Sequence, residues 1–405
     1  MKRHWNIILA PSALLVFLGV MVIGCVQPMN PKPTSDNQAL IEVQTTPTQI
    51  NPSRTTNDKS TFTPTAQHTT PTFTPTIGQL AFTSTTITPA IPSIIQAYAD
   101  GDRLFFIAQD WKSIDPPQMN SVSIYLQNLA TGETTFLSSS PYGGDGRICC
   151  LRPSENWLTW LTNKSNGSGW LLVAKRLPDG QEIILDRDVD TGVSTLRGPF
   201  TALSGDQFVW VSPRKLSDGS VKTYLVLANL STGERRTLAE ATMPESLVYV
   251  NIDEQWVVWS KGSSAGGVLK SNVYLYNLVS GKLTQLSEDD KSHQPVIKDN
   301  WIAWRTGFGD TGPIVVYNRR TGEHTTLPIK GDFLRMGDGL LMWWTYSNPF
   351  TYVYDLNNHT IDDPENKNHQ FDSPIFISGR KVAMVSSSPD PKTLKTGIEI
   401  RTYLP

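Results

Sequence analysis

The chain has 405 residues, a formal net charge of −2, 39 % hydrophobic residues and 12 tryptophans. Loss of residues 1–24 would remove Lys2 and Arg3 and no acid, taking the charge from −2 to −4. So mild a balance carries no footprint for nucleic acid or anionic lipid and excludes partners that need one.

In chain order, Lys2 and Arg3 form a basic start, and residues 7–24 are apolar and uncharged. The stretch ends in Val22-Ile23-Gly24-Cys25, which resembles the lipobox of bacterial lipoprotein signal peptides. That resemblance implies cleavage before Cys25, lipidation of its thiol and an extracytoplasmic chain anchored to the cell membrane. The alternative is a plain transmembrane anchor, since about 18 apolar residues just span a bilayer. Both place the remainder outside the cytoplasmic membrane.

Residues 26–92 are dominated by Thr and Pro, with repeats such as Thr61-Phe62-Thr63-Pro64-Thr65 and Thr72-Phe73-Thr74-Pro75-Thr76. Few apolar residues and no periodicity predict a disordered, extended tether, open to O-glycosylation at threonine. At about 3.1 Å per residue such a segment reaches at most on the order of 180 Å. The expected division is a signal peptide over 1–24, the tether over 25–78 and a folded repeat over 79–405.

The repeat shows in a recurring phrase. It reads Asp102-Arg103-Leu104-Phe105-Phe106, Asn156-Trp157-Leu158-Thr159-Trp160, Asp206-Gln207-Phe208-Val209-Trp210 and Gln255-Trp256-Val257-Val258-Trp259. It continues as Asn300-Trp301-Ile302-Ala303-Trp304, Gly339-Leu340-Leu341-Met342-Trp343 and Arg380-Lys381-Val382-Ala383-Met384. A period of roughly 40 to 50 residues with strand-like units predicts an all-β, seven-bladed β-propeller of four-stranded antiparallel blades. Hairpin turns punctuate it at Thr131-Gly132-Glu133, Asp179-Gly180-Gln181, Thr232-Gly233-Glu234, Ser280-Gly281-Lys282, Thr321-Gly322-Glu323 and Asn357-Asn358-His359. Gly or Asn is expected to supply the positive φ there. The last unit runs out after its third strand, and an open edge invites aggregation. The alternating segment Leu80-Ala81-Phe82-Thr83-Ser84-Thr85-Thr86-Ile87 is predicted to pair with the C-terminal strand and close the ring.

The units resemble TolB-like propellers, whose blades carry a Ser-Pro-Asp-Gly-type turn before an apolar-Trp strand. Here the turn reads Ser204-Gly205-Asp206 or Gly337-Asp338-Gly339, or degenerates to Pro153-Ser154-Glu155-Asn156. The resemblance covers roughly residues 80–405 and implies fold, not substrate. Trp157, Trp256 and Trp301 alternate with Trp160, Trp259 and Trp304, so the two sets face opposite sides of one strand. Recurrence in unit after unit assigns them to packing between blades, at about 2 to 3 kcal/mol per buried ring.

Function is expected on the end of the repeat that carries the long loops, around 109–121, 162–169, 212–222, 260–272, 305–313 and 386–396. Candidate ligand contacts there are Trp111, Tyr142, Arg187, Arg214, His293, Arg305, Tyr346 and His369. Asp186, Asp188 and Asp190 have the alternate spacing of a calcium loop. Thr191 displaces its glycine, and Arg197 stands where the bidentate Glu belongs, so an acidic solvated loop is the competing reading. No other cofactor is implied. Cys149 and Cys150 are read as small apolar strand residues or as a vicinal disulfide. Neither His-Glu-x-x-His nor a repeated Ser-x-Asp-x-Gly-x-x-Trp box occurs, and Asp100 and Asp372 are the nearest inner-strand acids, with no spacing that pairs them. The expectation is therefore a monomeric lipoprotein whose propeller binds a cell-envelope protein or glycan. The alternative is a cell-surface glycoside hydrolase or lyase with channel carboxylates.

Overall fold

The computed structural model describes residues 75–87, 94–112, 118–165, 168–187, 199–308, 312–344, 351–362, 376–387 and 396–405. The expected signal peptide, Cys25 and nearly all of the expected tether lie outside them. Within them the chain is all β, apart from two single turns of 3-10 helix at Gly143–Asp145 and Ala265–Gly267.

Two strands, β1 (Thr76–Gly78) and β2 (Phe82–Ile87), precede the repeat. The first sheet holds β3 (Ile94–Asp100), β4 (Arg103–Lys112), β5 (Gln118–Asn128) and β6 (Thr134–Ser139). The second holds β7 (Gly146–Pro153), β8 (Trp157–Lys164), β9 (Leu171–Arg176) and β10 (Glu182–Arg187). Next come β11 (Thr201–Ser204), β12 (Gln207–Lys215), β13 (Val221–Asn229) and β14 (Arg235–Thr242), then β15 (Glu245–Asp253), β16 (Trp256–Ser263), β17 (Lys270–Asn277) and β18 (Leu283–Gln285).

An eight-stranded sheet follows, with β19 (Ser292–Lys298), β20 (Trp301–Thr306), β21 (Gly312–Asn318), β22 (His324–Gly337), β23 (Leu340–Trp344), β24 (Thr351–Asp355) and β25 (Thr360–Asp362). Its eighth strand is β1, parallel to β25, although Thr76–Gly78 falls in the expected tether. The long β22 pairs with β21 up to Gly331 and with β23 from Asp332. Only glycine fits at that hand-over, because a Cβ on Gly331 would lie 2.0 Å from Cδ1 of Trp343.

The last sheet holds β26 (Phe376–Ser378), β27 (Lys381–Ser387) and β28 (Thr396–Tyr403), with β2 on its outer edge. As the alternation predicts, β2 runs antiparallel to β28, from Phe82 opposite Tyr403 to Ile87 opposite Ile398. The Phe82 and Tyr403 rings lie 5.5 Å apart, and Arg401 sits over Phe82 at 4.7 Å. A strand from the start of the repeat thus satisfies the edge that the last unit leaves bare.

Packing runs from each unit to the next. Tyr98, Phe105 and Ile124 share a cluster with Leu158, Trp160 and Val173. Trp157 and Leu172 pack with Phe208 and Trp210, and Val209 and Leu225 with Val257 and Trp259. Val258 and Val273 join Ile302 and Trp304, and Ala303 and Val316 join Leu341 and Trp343. Leu340 and Met342 meet Val382 and Tyr403, while Leu104 and Phe106 meet Ala383 and Ile398, which links the last sheet to the first. Trp157 and Trp160 fall in different clusters, as do Trp256 and Trp259, and Trp301 and Trp304, so the alternation buries both faces of the strand.

At the short-turn end, polar contacts repeat the linkage. Arg103 donates to the Ser154 carbonyl at 2.9 Å, Trp157 Nε1 to Asp206 at 3.1 Å and Lys298 Nζ to Asp253 at 3.0 Å. Arg380 donates to Asp355 at 2.7 Å and Lys381 to the Gly101 carbonyl at 2.9 Å.

The hairpin turns obey the expected chemistry at Gly132, Gly233, Gly281 and Gly322, all with φ near +70°. Two depart from it. The turn at 177–180 contains a cis Leu177–Pro178 bond and Gly180 is not left-handed, while His359 rather than an asparagine takes φ 55° in its turn. A further rule escaped the sequence reading. Asn128, Asn229, Asn277, Asn318 and Asp355 each accept the backbone N–H groups two and three residues on, holding the turn by a side chain before the glycine is reached.

Candidate functional site

Pairing between first and second strands slips at the same place in unit after unit. The ladder shifts between Cys149 and Arg152 in β7, Val248 and Asn251 in β15, His293 and Val296 in β19, and Asp332 and Arg335 in β22. Each bulge puts a residue other than glycine in the left-handed region: Cys150 (φ 62°), Tyr249 (53°), Gln294 (55°) and Phe333 (50°). Such a residue costs about 1 to 3 kcal/mol, and bulges re-aim side chains beside functional sites. Four strained non-glycine residues at matched positions make the first strands the candidate site.

The side chains there converge from sheets that are not neighbours in the pairing. Tyr98 of β3 feels the charges of Arg152 of β7 and Arg335 of β22, and Cys150 feels both arginines. Burial pushes the Tyr98 phenol up; its hydroxyl donates to Gln96 Oε1 at 3.0 Å. Burial, with the like charge of Arg152, lowers Arg335 to about 10. Both arginines donate to carbonyls of the framework, Arg152 to Thr201 at 3.1 Å and Arg335 to Leu334 at 2.9 Å. Among the described residues no carboxylate forms an ion pair with Arg152.

Aromatic rings cover the rest. Phe200 lies 4.6 Å from Tyr249, Tyr249 lies 6.1 Å from His293, and His293 stacks on the exposed Phe308 at 5.3 Å. Phe333 stacks on Trp344 at 4.6 Å, and Arg335 lies over the Trp344 ring at 5.8 Å. Fixed positive charge thus lies over the Trp344 face.

Of the residues singled out in the sequence, His293 and Arg305 come together as opposed residues of β19 and β20, in strands rather than loops. His293 is 7 % exposed, and burial, then the charge of Arg305, pull its pKa down to about 4 although Nδ1 sits 3.1 Å from the Lys291 carbonyl. Arg305 is 2 % exposed and pairs with Asp332 at 2.7 Å. Arg214 pairs with Asp186, whose Oδ2 also accepts Trp210 Nε1 at 2.8 Å. Asp186 is therefore engaged with protein donors; Asp188 and Asp190 lie outside the described residues, as do Tyr346, His369 and Asp372. Among the described residues no group of three His, Cys, Asp or Glu side chains is placed to hold a metal. Tyr142 donates its hydroxyl to the Gly169 carbonyl under Lys164. Arg187 ends β10 exposed, and Trp111 is in β4 with its side chain outside the description.

Asp100, the other inner-strand acid, pairs with Arg103 and accepts Ser378 Oγ at 3.3 Å. Gly262-Ser263-Ser264-Ala265-Gly266 has Gly-x-Ser-x-Gly spacing, which the sequence reading passed over. It joins two antiparallel strands through a single 3-10 turn, whereas a nucleophile elbow needs a strand followed by a helix. Arg152, Phe200, Tyr249, Gln294, Phe333 and Arg335 were missed altogether, and Cys150 was noted only for its pairing with Cys149. The available signal was broken alternation, as in Leu247-Val248-Tyr249-Val250 and Ile148-Cys149-Cys150-Leu151.

No family model matches the chain, and no curated protein matches it in sequence. Among solved structures it is similar to the β-propeller domain of the trilobed protease from Pyrococcus furiosus, described as having an open velcro topology. Identity is 9 % over 74 % of this chain and 90 % of that one, with a TM-score of 0.50. A prolyl endopeptidase is similar at 13 % identity over 76 % of this chain and 48 % of that one, with a TM-score of 0.51, so the chain spans about half of that protein. An oligogalacturonate lyase from Vibrio parahaemolyticus is 14 % identical over 82 % of this chain and 98 % of that one, with a TM-score of 0.48. At such identities the likeness shows the fold alone, a β-propeller.

Proposed function

We propose that this is an extracytoplasmic, TolB-like lipoprotein, anchored through lipidated Cys25, whose seven-bladed propeller binds an acidic glycan of the cell envelope. Support for seven blades comes from the division of β22 between two four-stranded units and from the chain of clusters that returns from the last sheet to the first. The chain is read as a monomer, with β2 closing the ring.

The observation that carries the functional reading is the convergence of Arg152 and Arg335 on Tyr98 and Cys150, with Arg335 over the ring of Trp344 and the rings of Tyr249 and Phe308 against His293. Sugar rings stack on aromatic faces, and a uronic acid carboxylate matches a guanidinium. Binding fits better than hydrolysis, because Asp100, Asp186 and Asp332 are each held by an arginine rather than facing one another.

The test is calorimetric titration with hexuronic acid oligomers against neutral hexose oligomers of equal length. Only the acidic series should bind, and Arg152→Gln or Arg335→Gln should weaken it about tenfold or more, as loss of a charge-assisted hydrogen bond of about 1.5–3 kcal/mol requires. Equal affinity for neutral oligomers would refute the charge argument. Breakdown of the acidic oligomers would instead establish a lyase or hydrolase.

A further inference from the structure

Cys149 and Cys150 stand side by side on the β7 bulge as free thiols, partly buried, with their Sγ atoms 2.8 Å apart. Cys150 takes a left-handed backbone, φ 62°, that a residue with a Cβ adopts at a cost. Arg152 and Arg335 lend the pair positive charge from two different sheets. We propose that this pair is an oxidisable dithiol, a modification site on the β7 bulge that closes to a vicinal disulfide by exchange with a low-molecular-weight disulfide.

The surroundings divide the labour between the two sulfurs. The hydrogen bond from Cys149, with Arg152 and Arg335 adding to it against burial, holds the Cys150 thiol down to about 7. The same hydrogen bond, with burial, pushes Cys149 up. Near neutral pH Cys150 therefore supplies the thiolate, the attacking species in exchange. It attacks one sulfur of the small disulfide, forming a mixed disulfide and expelling one thiolate. Cys149 then loses its proton and attacks Sγ of Cys150, expelling the second thiolate. The protein has lost two electrons and two protons, and the small disulfide has become two thiols.

Reversal is built in. Adjacent Cα atoms are about 3.8 Å apart, against roughly 4.4–6.8 Å for ordinary disulfides, so the closed form is strained and readily reduced. None of this depends on what the channel binds, so failure of the acidic-glycan reading would leave it standing.

The test treats the folded full-length chain with oxidised glutathione, alkylates remaining thiols and maps the peptides. Trypsin does not cleave Arg152–Pro153, so peptide 148–164 carries both cysteines and not Cys25. It should emerge lighter by two hydrogens, refuse alkylation and regain both thiols with dithiothreitol. In Cys150→Ser and Cys149→Ser the peptide cannot close; matched melting curves would establish that both variants fold. As a second readout, phenylarsine oxide, which condenses with two thiols and releases water, should bind once per chain and in neither variant. Two alkylated thiols after oxidation, a lasting glutathione adduct on one cysteine, or closure only in denaturant would overturn the proposal.

Discussion

The second strands β8, β16, β20 and β23 hold no residue in left-handed backbone, whereas β7, β15, β19 and β22 beside them slip register and each hold one. The two sets pair with each other, so a common environment does not explain the contrast. A second strand buries both faces between sheets, and large apolar side chains towards each face satisfy it, with small or polar residues such as Thr159, Ser260 and Ala303 among them. A first strand carries at its bulge a residue in strained backbone, which survives only because the rest of the blade holds it. Regularity therefore marks the scaffold, and its failure marks the site.

The contrast can be attacked hardest at Trp343 and Gly331, where the two kinds of strand meet. Trp343→Ala should cost about 3–5 kcal/mol in chemical denaturation, the range for emptying a buried aromatic site. Gly331→Ala should cost about 1–3 kcal/mol through overpacking against that ring. The double variant should cost less than the sum, because the cavity left by the indole receives the new methyl group. Strict additivity would show that the hand-over in β22 does not depend on this contact.

The next effect falls on the first strands themselves. Asp332→Ala should cost about 3 kcal/mol, since it leaves the Arg305 guanidinium buried without its carboxylate. Arg305→Met combined with Asp332→Leu should recover most of that loss, because a buried pair replaced by apolar side chains is close to neutral. If the double variant is as unstable as the single one, the pair contributes stability and not merely mutual neutralisation.

These strands also show how far the sequence could be read. The tryptophan phrase, the turn glycines and the alternation of Phe82 to Ile87 each follow a local rule with a fixed period, and the fold follows from them. The site follows no period. Arg152 and Arg335 stand 183 positions apart in sheets that are not paired, and their meeting depends on the ring and not on spacing. Bulges were equally hidden: Cys150, Tyr249, Gln294 and Phe333 share a backbone conformation but no chemistry. His293 and Arg305 were singled out as ligand contacts on the long loops; their place in β19 and β20, and their opposition, required the register.

His293 offers a subtler probe. Its pKa falls from an unfolded value of 6.5 to about 4, through burial and then Arg305, with Asp289 and the Lys291 carbonyl opposing. Between those values the unfolded chain holds a proton that the native state refuses, so stability rises with pH there and is lost as pH falls from 6.5 toward 4. The slope should reach on the order of 1 kcal/mol per pH unit, and His293→Phe should remove that component while keeping the ring against Phe308. An unchanged slope in the variant would move the titration elsewhere.

The smallest effect separates the two kinds of strand most cleanly. Gln294 is 7 % exposed, sits at φ 55°, and its buried Oε1 accepts no hydrogen bond. Gln294→Gly would relieve roughly 1–2 kcal/mol of left-handed strain and remove an oxygen whose unmet burial costs about 1–3 kcal/mol. Those gains oppose lost contacts and the conformational entropy of glycine, so the net change should stay within about 1 kcal/mol. Val257→Gly, one sheet earlier in a second strand, should instead cost on the order of 3 kcal/mol, because its side chain is fully enclosed and its backbone is already relaxed. Equal losses at the two positions would mean that the first strands are packed as strictly as the second, and that the left-handed residues are part of the scaffold after all.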